Sequence, residues 1–172
     1  MLIVFGGLPG TGKTTLAREL ARRLSATYLR IDTVEQAILT SRLLLDVGPA
    51  GYLVGYSVAA DNLSLGLTVV ADSVNSLAVT RDAWIEVAKT TGAAFVEIEV
   101  TCSDSAEHRR RIELRKPDIP GHKLPSWQDV LDRRYDPWTR DHIVIDTAAI
   151  SPVQAVDEVI EKVRAALHLM QI

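Results

Sequence analysis

Residues 7–15 read Gly-Leu-Pro-Gly-Thr-Gly-Lys-Thr-Thr, a spacing of glycines, one lysine and hydroxyls suited to binding a polyphosphate. Gly7, Gly10 and Gly12 permit backbone conformations that turn successive amide N–H groups toward one set of anionic oxygens. With Leu8, Pro9, Thr11 and Thr15 completing the loop, every fixed position of G-x-x-x-x-G-K-[ST] is matched. Lys13 has the reach for β- and γ-phosphate oxygens, and the Thr14 hydroxyl is a ligand for Mg²⁺. The expected ligand is therefore ATP·Mg²⁺, held by residues 7–15 with Thr14 on the metal.

The loop lies where that chemistry needs it. The apolar run Leu2 to Phe5 precedes it, as expected of a strand covered on both faces. Leu16, Ala17, Leu20, Ala21 and Leu24 then share one face of a helix from Lys13 to Ser25. The positive end of that helix dipole faces the same anion.

Strands and helices alternate along the rest of the chain. Residues 28–31 predict a strand ended by Asp32, and 33–45 a helix with Val34, Ala37, Ile38 and Ser41 on one face. After the break Val47-Gly48-Pro49 come a helix over 52–65, a strand over 67–71 ended by Asp72, and a helix over 80–91 stopped by Gly92. In the strand over 94–100, Glu97 and Glu99 alternate with apolar residues, which predicts one partly covered face. An Arg-dense helix over 105–115, a Pro-containing loop over 116–125, a short helix over 126–135 and a strand over 142–145 follow. Ser151, Pro152 and Gln154 start the last helix as a capping box, with Val153, Val156, Ile160, Val163 and Leu167 as its buried stripe.

This order implies a single α/β domain over 1–172: a three-layer α/β/α sandwich around a parallel five-stranded sheet. Ligands of such sheets sit beyond the carboxyl ends of the strands, so Gly7, Asp32, Asp72 and Asp146 are expected around one crevice.

The 172 residues carry a net charge of −3, which argues against a general nucleic-acid-binding surface. Fourteen of the nineteen cations are arginine, whose planar fork suits phosphate and carboxylate oxygens. The single cysteine, Cys102, has no internal disulfide partner and reads as a buried thiol at a strand end, in keeping with a cytoplasmic protein. The N-terminal apolar run is broken at Gly6-Gly7 and lacks a basic flank, so neither a signal peptide nor a membrane span is expected. The four histidines show no metal-ligand spacing.

The loop GLPGTGKTT resembles that of the P-loop kinases that include polynucleotide 5′-kinase, chloramphenicol phosphotransferase, zeta-type toxins, shikimate kinase and gluconokinase. It is similar in particular to the "predicted kinase" branch labelled as AAA-type ATPases. The resemblance implies transfer of the γ-phosphoryl group of ATP to a hydroxyl of a small-molecule or nucleoside-type acceptor, by a monomer or homodimer. It places Asp32 where those kinases keep the aspartate that accepts or orients the acceptor hydroxyl; the alternative is a helix cap. It places Asp72 at the Walker B-like strand end, for a magnesium-bound water or the acceptor, with Ser73 and Asn75 in the same turn; the alternative is a helix cap or loop-turn aspartate. It places Arg81 near the acceptor; the alternative is an exposed helix charge. The segment 103–125 looks like the kinase lid, with Arg111 and Arg115 sharing a helix face and closing over the phosphates while Arg109 and Arg110 stay solvated. Residues 135–138, which carry Tyr135 and Trp138 in an aromatic-poor chain, are expected to border the acceptor pocket, and the resemblance implies that the loop after Asp146 passes beside the adenine.

Other uses of such a loop fit less well. The chain has no Asn/Thr-Lys-x-Asp guanine-reading segment and no D-x-x-G switch, and Ser73 follows Asp72 where many ATP hydrolases have a second acid. Two alternatives remain: a nucleic-acid 5′-hydroxyl kinase, and an ATP-binding switch acting on a protein partner.

Overall fold

The computed structural model describes residues 1–42 and 46–169. Its sheet comprises β1 (Leu2–Gly6), β2 (Thr27–Arg30), β3 (Val69–Asp72), β4 (Phe95–Thr101) and β5 (Ile143–Asp146). All pairings are parallel, in the order β2-β3-β1-β4-β5. The helices are α1 (Lys13–Leu24), α2 (Ile31–Thr40), α3 (Ala50–Ser64), α4 (Ala78–Thr91), α5 (Ser105–Leu114), α6 (Trp127–Leu131) and α7 (Pro152–Leu169).

Successive strand side chains point to opposite faces, so the unbroken apolar β1 supplies two cores. Ile3 and Phe5 pack with Leu16 and Leu20 of α1 and Val156, Val159 and Val163 of α7. Leu2 and Val4 pack with Ala59 and Leu63 of α3 and Trp84 and Val87 of α4. Trp84 is fully buried, edge-on to Tyr56 at 4.5 Å between centroids. Gly55 sits where a Cβ would overlap the Ile31 side chain, which lets α3 close over the start of α2.

The parallel five-stranded α/β/α sandwich is as expected, while several boundaries move. Strand β2 runs into α2 with no linker, so Asp32 lies in the first turn of a helix and not at a strand end. The expected continuation of that helix to residue 45 ends outside the described residues. Helix α6 stops at Leu131, short of Tyr135. Ser151 and Gln154 do form the expected cap, Gln154 Oε1 accepting from the Ser151 N–H at 2.9 Å. Val156 and Val163 of the expected stripe are buried and Ile160 packs beside them, but Ala155 and Val159 join them while Val153 is exposed. The Leu167 side chain lies outside the described residues. The partly covered face expected of β4 is covered: Glu97 is buried against Arg140 at 3.0 Å, and Glu99 accepts from the Tyr135 hydroxyl at 2.9 Å. Segment 135–142 straps that face of the strand, which is why two acids can stand in an inner strand.

Candidate functional site

The phosphate loop joins β1 to α1 and is braced on every side. Gly7 has φ 137° and its N–H donates to the Val74 carbonyl at 3.0 Å; a Cβ there would collide with the Val100 carbonyl oxygen. Helix α5 lies on the loop. His108 is buried, and its Nε2 lies 2.7 Å from the Pro9 carbonyl; because a carbonyl only accepts, that nitrogen carries the proton. A Cβ at Gly10 would come within 2.6 Å of Ile112, and one at Gly6 within 2.7 Å of Trp138. Small residues therefore allow α5 and the 135–142 strap to press the loop into shape. Lys13 is buried at the start of α1; burial lowers its pKa, against the raising influence of Asp72 and Asp32.

Beside Lys13, at the ends of β2 and β3, charges converge. Arg30 and Asp72 are register partners. The Asp72 carboxyl is buried; Oδ2 accepts from the Tyr28 hydroxyl at 2.7 Å, and Oδ1 has no hydrogen-bond partner among the described residues. An orphaned buried carboxylate oxygen close to Lys13 fits a magnesium-bound water, in keeping with a metal that retains most of its waters. The Arg30 guanidinium reaches Asp118 at 2.7 Å, Asp32 at 3.5 Å and Asp72 at 4.0 Å.

Two clefts meet at Lys13 and Arg115, which line both. One, of about 410 Å³, runs along Thr14, Thr15, Arg18 and Asp118. The other, of about 620 Å³, has Asp32, Glu35 and Tyr52 on its walls. A third hollow of about 250 Å³ lies past Gly12, between Leu16, Arg111, Thr147 and Ile150.

Glu35 follows Asp32 by one helical turn, and burial, with Asp32 beside it, pushes its carboxyl up to about 7. The unfolded chain gives up this proton near the ordinary glutamate value and the folded chain near 7, so stability falls as pH rises between the two. A shift of that size corresponds to at most about 3 kcal/mol. Glu35 is partly exposed, and screening reduces the effect to roughly 1 kcal/mol. Glu35→Gln should therefore raise the melting temperature by about 2–4 °C more at pH 8 than at pH 5. Thermal unfolding at the two pH values checks this; an equal change at both would mean that Glu35 does not titrate in that window.

The family model described as AAA domain matches residues 2–133. The chain belongs to the AAA domain family. Solved P-loop kinases share its fold over nearly the full length. A putative kinase from Chloroflexus aurantiacus is 20% identical, covers 96% of each chain and has a TM-score of 0.69. A gluconokinase from Sinorhizobium meliloti is 20% identical over 98% of this chain and 94% of that one, at 0.67. The APS kinase CysC of Mycobacterium tuberculosis, in complex with AMPPNP and APS, is 19% identical over 95% and 96%, at 0.70. At such identities the likeness establishes the fold, which is that of the P-loop kinases. No curated protein matches the chain in sequence. No helix among the described residues is long and apolar enough to cross a membrane.

Against the AAA domain fold, the expected site residues divide into two groups. Pro9, Asp32 and Arg115 line the larger of the two clefts and Gly10, Gly12, Thr14, Thr15 and Arg115 the other, with Lys13 on both; Leu8 and Thr11 face a small hollow beside His108, and Asp72 is the register partner of Phe5 just before the loop. Arg111 lines the phosphate-side cleft as well, with its guanidinium already engaged: its Nη1 and Nη2 donate to Thr147 Oγ1 and to the Thr147 carbonyl at 2.7 and 2.8 Å, and its Nε donates to Glu107 at 2.8 Å. It also shares no helix face with Arg115, which leaves α5 as an extended C-cap residue. Arg109 and Arg110 pair with Glu113 and Glu107 on the exposed face, as expected.

Arg81 lines neither cleft. It is buried, donates to the carbonyls of Asn75, Asp136 and Pro137 at 3.0, 3.0 and 2.9 Å, and lies 4.6 Å over the Trp138 ring. Asn75 is equally structural, donating to the Phe5 carbonyl at 2.8 Å. Residues 135–138 pack under the phosphate loop instead of bordering the acceptor cleft, and Asp146 accepts from the N–H groups of Ser103 and Ala148. Arg30, Glu35, Asp118 and His108 in its bracing role are additions to the expected set. An arginine inside the apolar strand Tyr28-Leu29-Arg30-Ile31 was the available signal for the first, and the i, i+3 spacing from Asp32 for the second. Asp118, 88 residues from Arg30, left no local pattern.

Proposed function

We propose that the chain is an ATP-dependent phosphotransferase that moves the γ-phosphoryl group to a hydroxyl of a small-molecule or nucleoside-type acceptor. What carries this reading is that Lys13 and Arg115 line both clefts beside the phosphate loop. A phosphoryl group held at Lys13 would thus face a second compartment with a carboxylate, Asp32, on its wall. A nucleotide switch requires no such compartment.

In this reading the loop amides and Lys13 bind the β- and γ-phosphates, and the hollow beside Thr147 receives the base, walled by Arg111. The Thr14 hydroxyl and Asp72 Oδ1 would hold Mg²⁺, directly or through water, and the ion would neutralise phosphate charge when bound. Asp32 orients the acceptor hydroxyl and takes its proton late. The acceptor oxygen bonds to the γ-phosphorus as the bond to the β–γ bridging oxygen breaks, and ADP leaves. Segment 103–125 serves as the lid, since α5 and the loop 116–125 overlie the phosphate side.

Incubation of the protein with ATP·Mg²⁺ and a panel of hydroxyl compounds, followed by ³¹P NMR, tests the reading. Transfer of the γ-phosphate to one acceptor, matched by ADP, is expected; release of inorganic phosphate alone across the panel counts against it. Arg115→Lys should lower turnover about tenfold and leave the ATP Kd within about threefold, because a contact that strengthens as charge develops loses its planar fork. Equal losses in both would make Arg115 an ordinary ATP contact.

A further inference from the structure

One buried guanidinium stands between the lid loop and the site. Arg30 is 3% exposed, and its Nη1 and Nη2 donate to Asp118 Oδ2 and Oδ1 at 2.7 and 3.1 Å. The same Nη2 lies 3.5 Å from Asp32 Oδ2. Nε faces Asp72 Oδ2 at 4.0 Å and makes no hydrogen bond among the described residues. Asp118 belongs to the exposed loop 116–125 and is also held by Arg18 at 2.9 Å. Nη2 carries two N–H groups, but the rigid guanidinium sits in hydrogen-bond contact with Asp118 and only in longer ion-pair contact with Asp32, so the two carboxylates compete for its position.

We propose that Asp118 is a positioning residue: docked on Arg30, it holds the guanidinium at ion-pair distance from Asp32 and short of hydrogen-bond contact, and when the loop lifts, Arg30 closes on Asp32. The closing is enforced by burial. A guanidinium so enclosed, once it loses Asp118, would be left uncompensated unless it turned to the carboxylates beside it. Lid position and the state of Asp32 are thereby coupled through one side chain, 88 residues from its lid partner in sequence. The Arg30 hydrogen bond, with help from Arg18, holds the Asp118 carboxyl well below the usual carboxylate range, so Asp118 remains charged throughout the working pH range. The coupling therefore follows loop position and not pH.

Only the consequence for catalysis rests on the reading of Asp32 as the acceptor carboxylate; the coupling itself is measurable on the chain alone. Amide hydrogen exchange over residues 116–125 is compared among the full-length wild type, Asp118→Asn, Asp32→Asn, the double variant and Asp118→Glu. Asp118→Asn should speed exchange about two- to tenfold, the range for the net worth of one hydrogen bond to a half-exposed partner. Asp32→Asn should slow it by a comparable factor, because one of the charges drawing the guanidinium away from Asp118 is removed, and should have no effect in the Asp118→Asn background. Asp118→Glu should restore most of the protection. Arg18→Ala should do little, since that pair is exposed. A merely structural Arg30–Asp118 pair predicts no response to Asp32→Asn, and that result, or additive effects in the double variant, overturns the proposal. Should Asp32→Asn retain phosphoryl transfer while the exchange cycle behaves as described, the coupling stands and only the acceptor role of Asp32 is lost.

Discussion

Lys13→Ala is expected to abolish stabilisation of the protein by ATP·Mg²⁺ while leaving the melting temperature of the unliganded chain within a few degrees of wild type. Lys13 is 6% exposed, and its burial disfavours the charged amine, so the fold gives up little when the side chain is removed. The loop around it is held by groups that do not involve Lys13: the Gly7 N–H to Val74, His108 to Pro9, and the packing of Ile112 and Trp138. Its loss therefore falls on ligand binding. A ligand at about 100 times its Kd stabilises by about 2.7 kcal/mol, which for a chain of this size raises the melting temperature by about 5–10 °C. The variant should show a shift below about 1 °C under the same conditions. Thermal unfolding of both proteins with and without ATP·Mg²⁺ decides it; an undiminished shift in Lys13→Ala would remove the nucleotide site from this loop.

What the sequence revealed, and what it did not, divides by the range of the forces involved. The phosphate loop and the two-sided burial of β1 are local: Gly7, Gly12 and Lys13 are needed at fixed spacing, and Leu2 to Phe5 must all be apolar because both faces are covered. Gly92, which ends α4 at φ 65°, is local in the same sense. The misreadings come from contacts made at a distance. Glu97 looked like a half-exposed strand residue because Arg140, 43 positions away, is what neutralises it. Arg81 has the residue type of an acceptor ligand, yet the carbonyls of Asp136 and Pro137 arrive from 55 and 56 positions away to engage it. Arg30 and Asp118 acquire meaning only once the loop 116–125 reaches the end of β2. Arginine is the residue most exposed to this error, since its five donors pair equally well with backbone carbonyls, carboxylates and phosphate.

Asp32→Asn should keep ATP affinity within about threefold and lose at least about a hundredfold in phosphoryl transfer. The separation follows from position. Asp32 lies on the wall of the larger cleft and not among the residues of the phosphate-side cleft, so the nucleotide is bound without it. The replacement is nearly isosteric, and the first turn of α2 has no side-chain cap to lose. An amide oxygen can still accept a hydrogen bond from the acceptor hydroxyl, which preserves some positioning, but it cannot take the proton that the new phosphate ester must release. A hundredfold loss corresponds to about 2.7 kcal/mol of barrier, a reasonable share for one general base in a reaction governed mainly by positioning and charge. Turnover measured with the accepted hydroxyl compound, alongside equilibrium binding of ATP, separates the possibilities. Parallel loss of binding and turnover would make Asp32 a residue that supports Lys13 or the metal, consistent with its raising influence on the Lys13 pKa. Retained turnover would assign the proton to another group, and Glu35, one turn further along α2 on the same cleft and ionising near 7, is the carboxylate placed to take it.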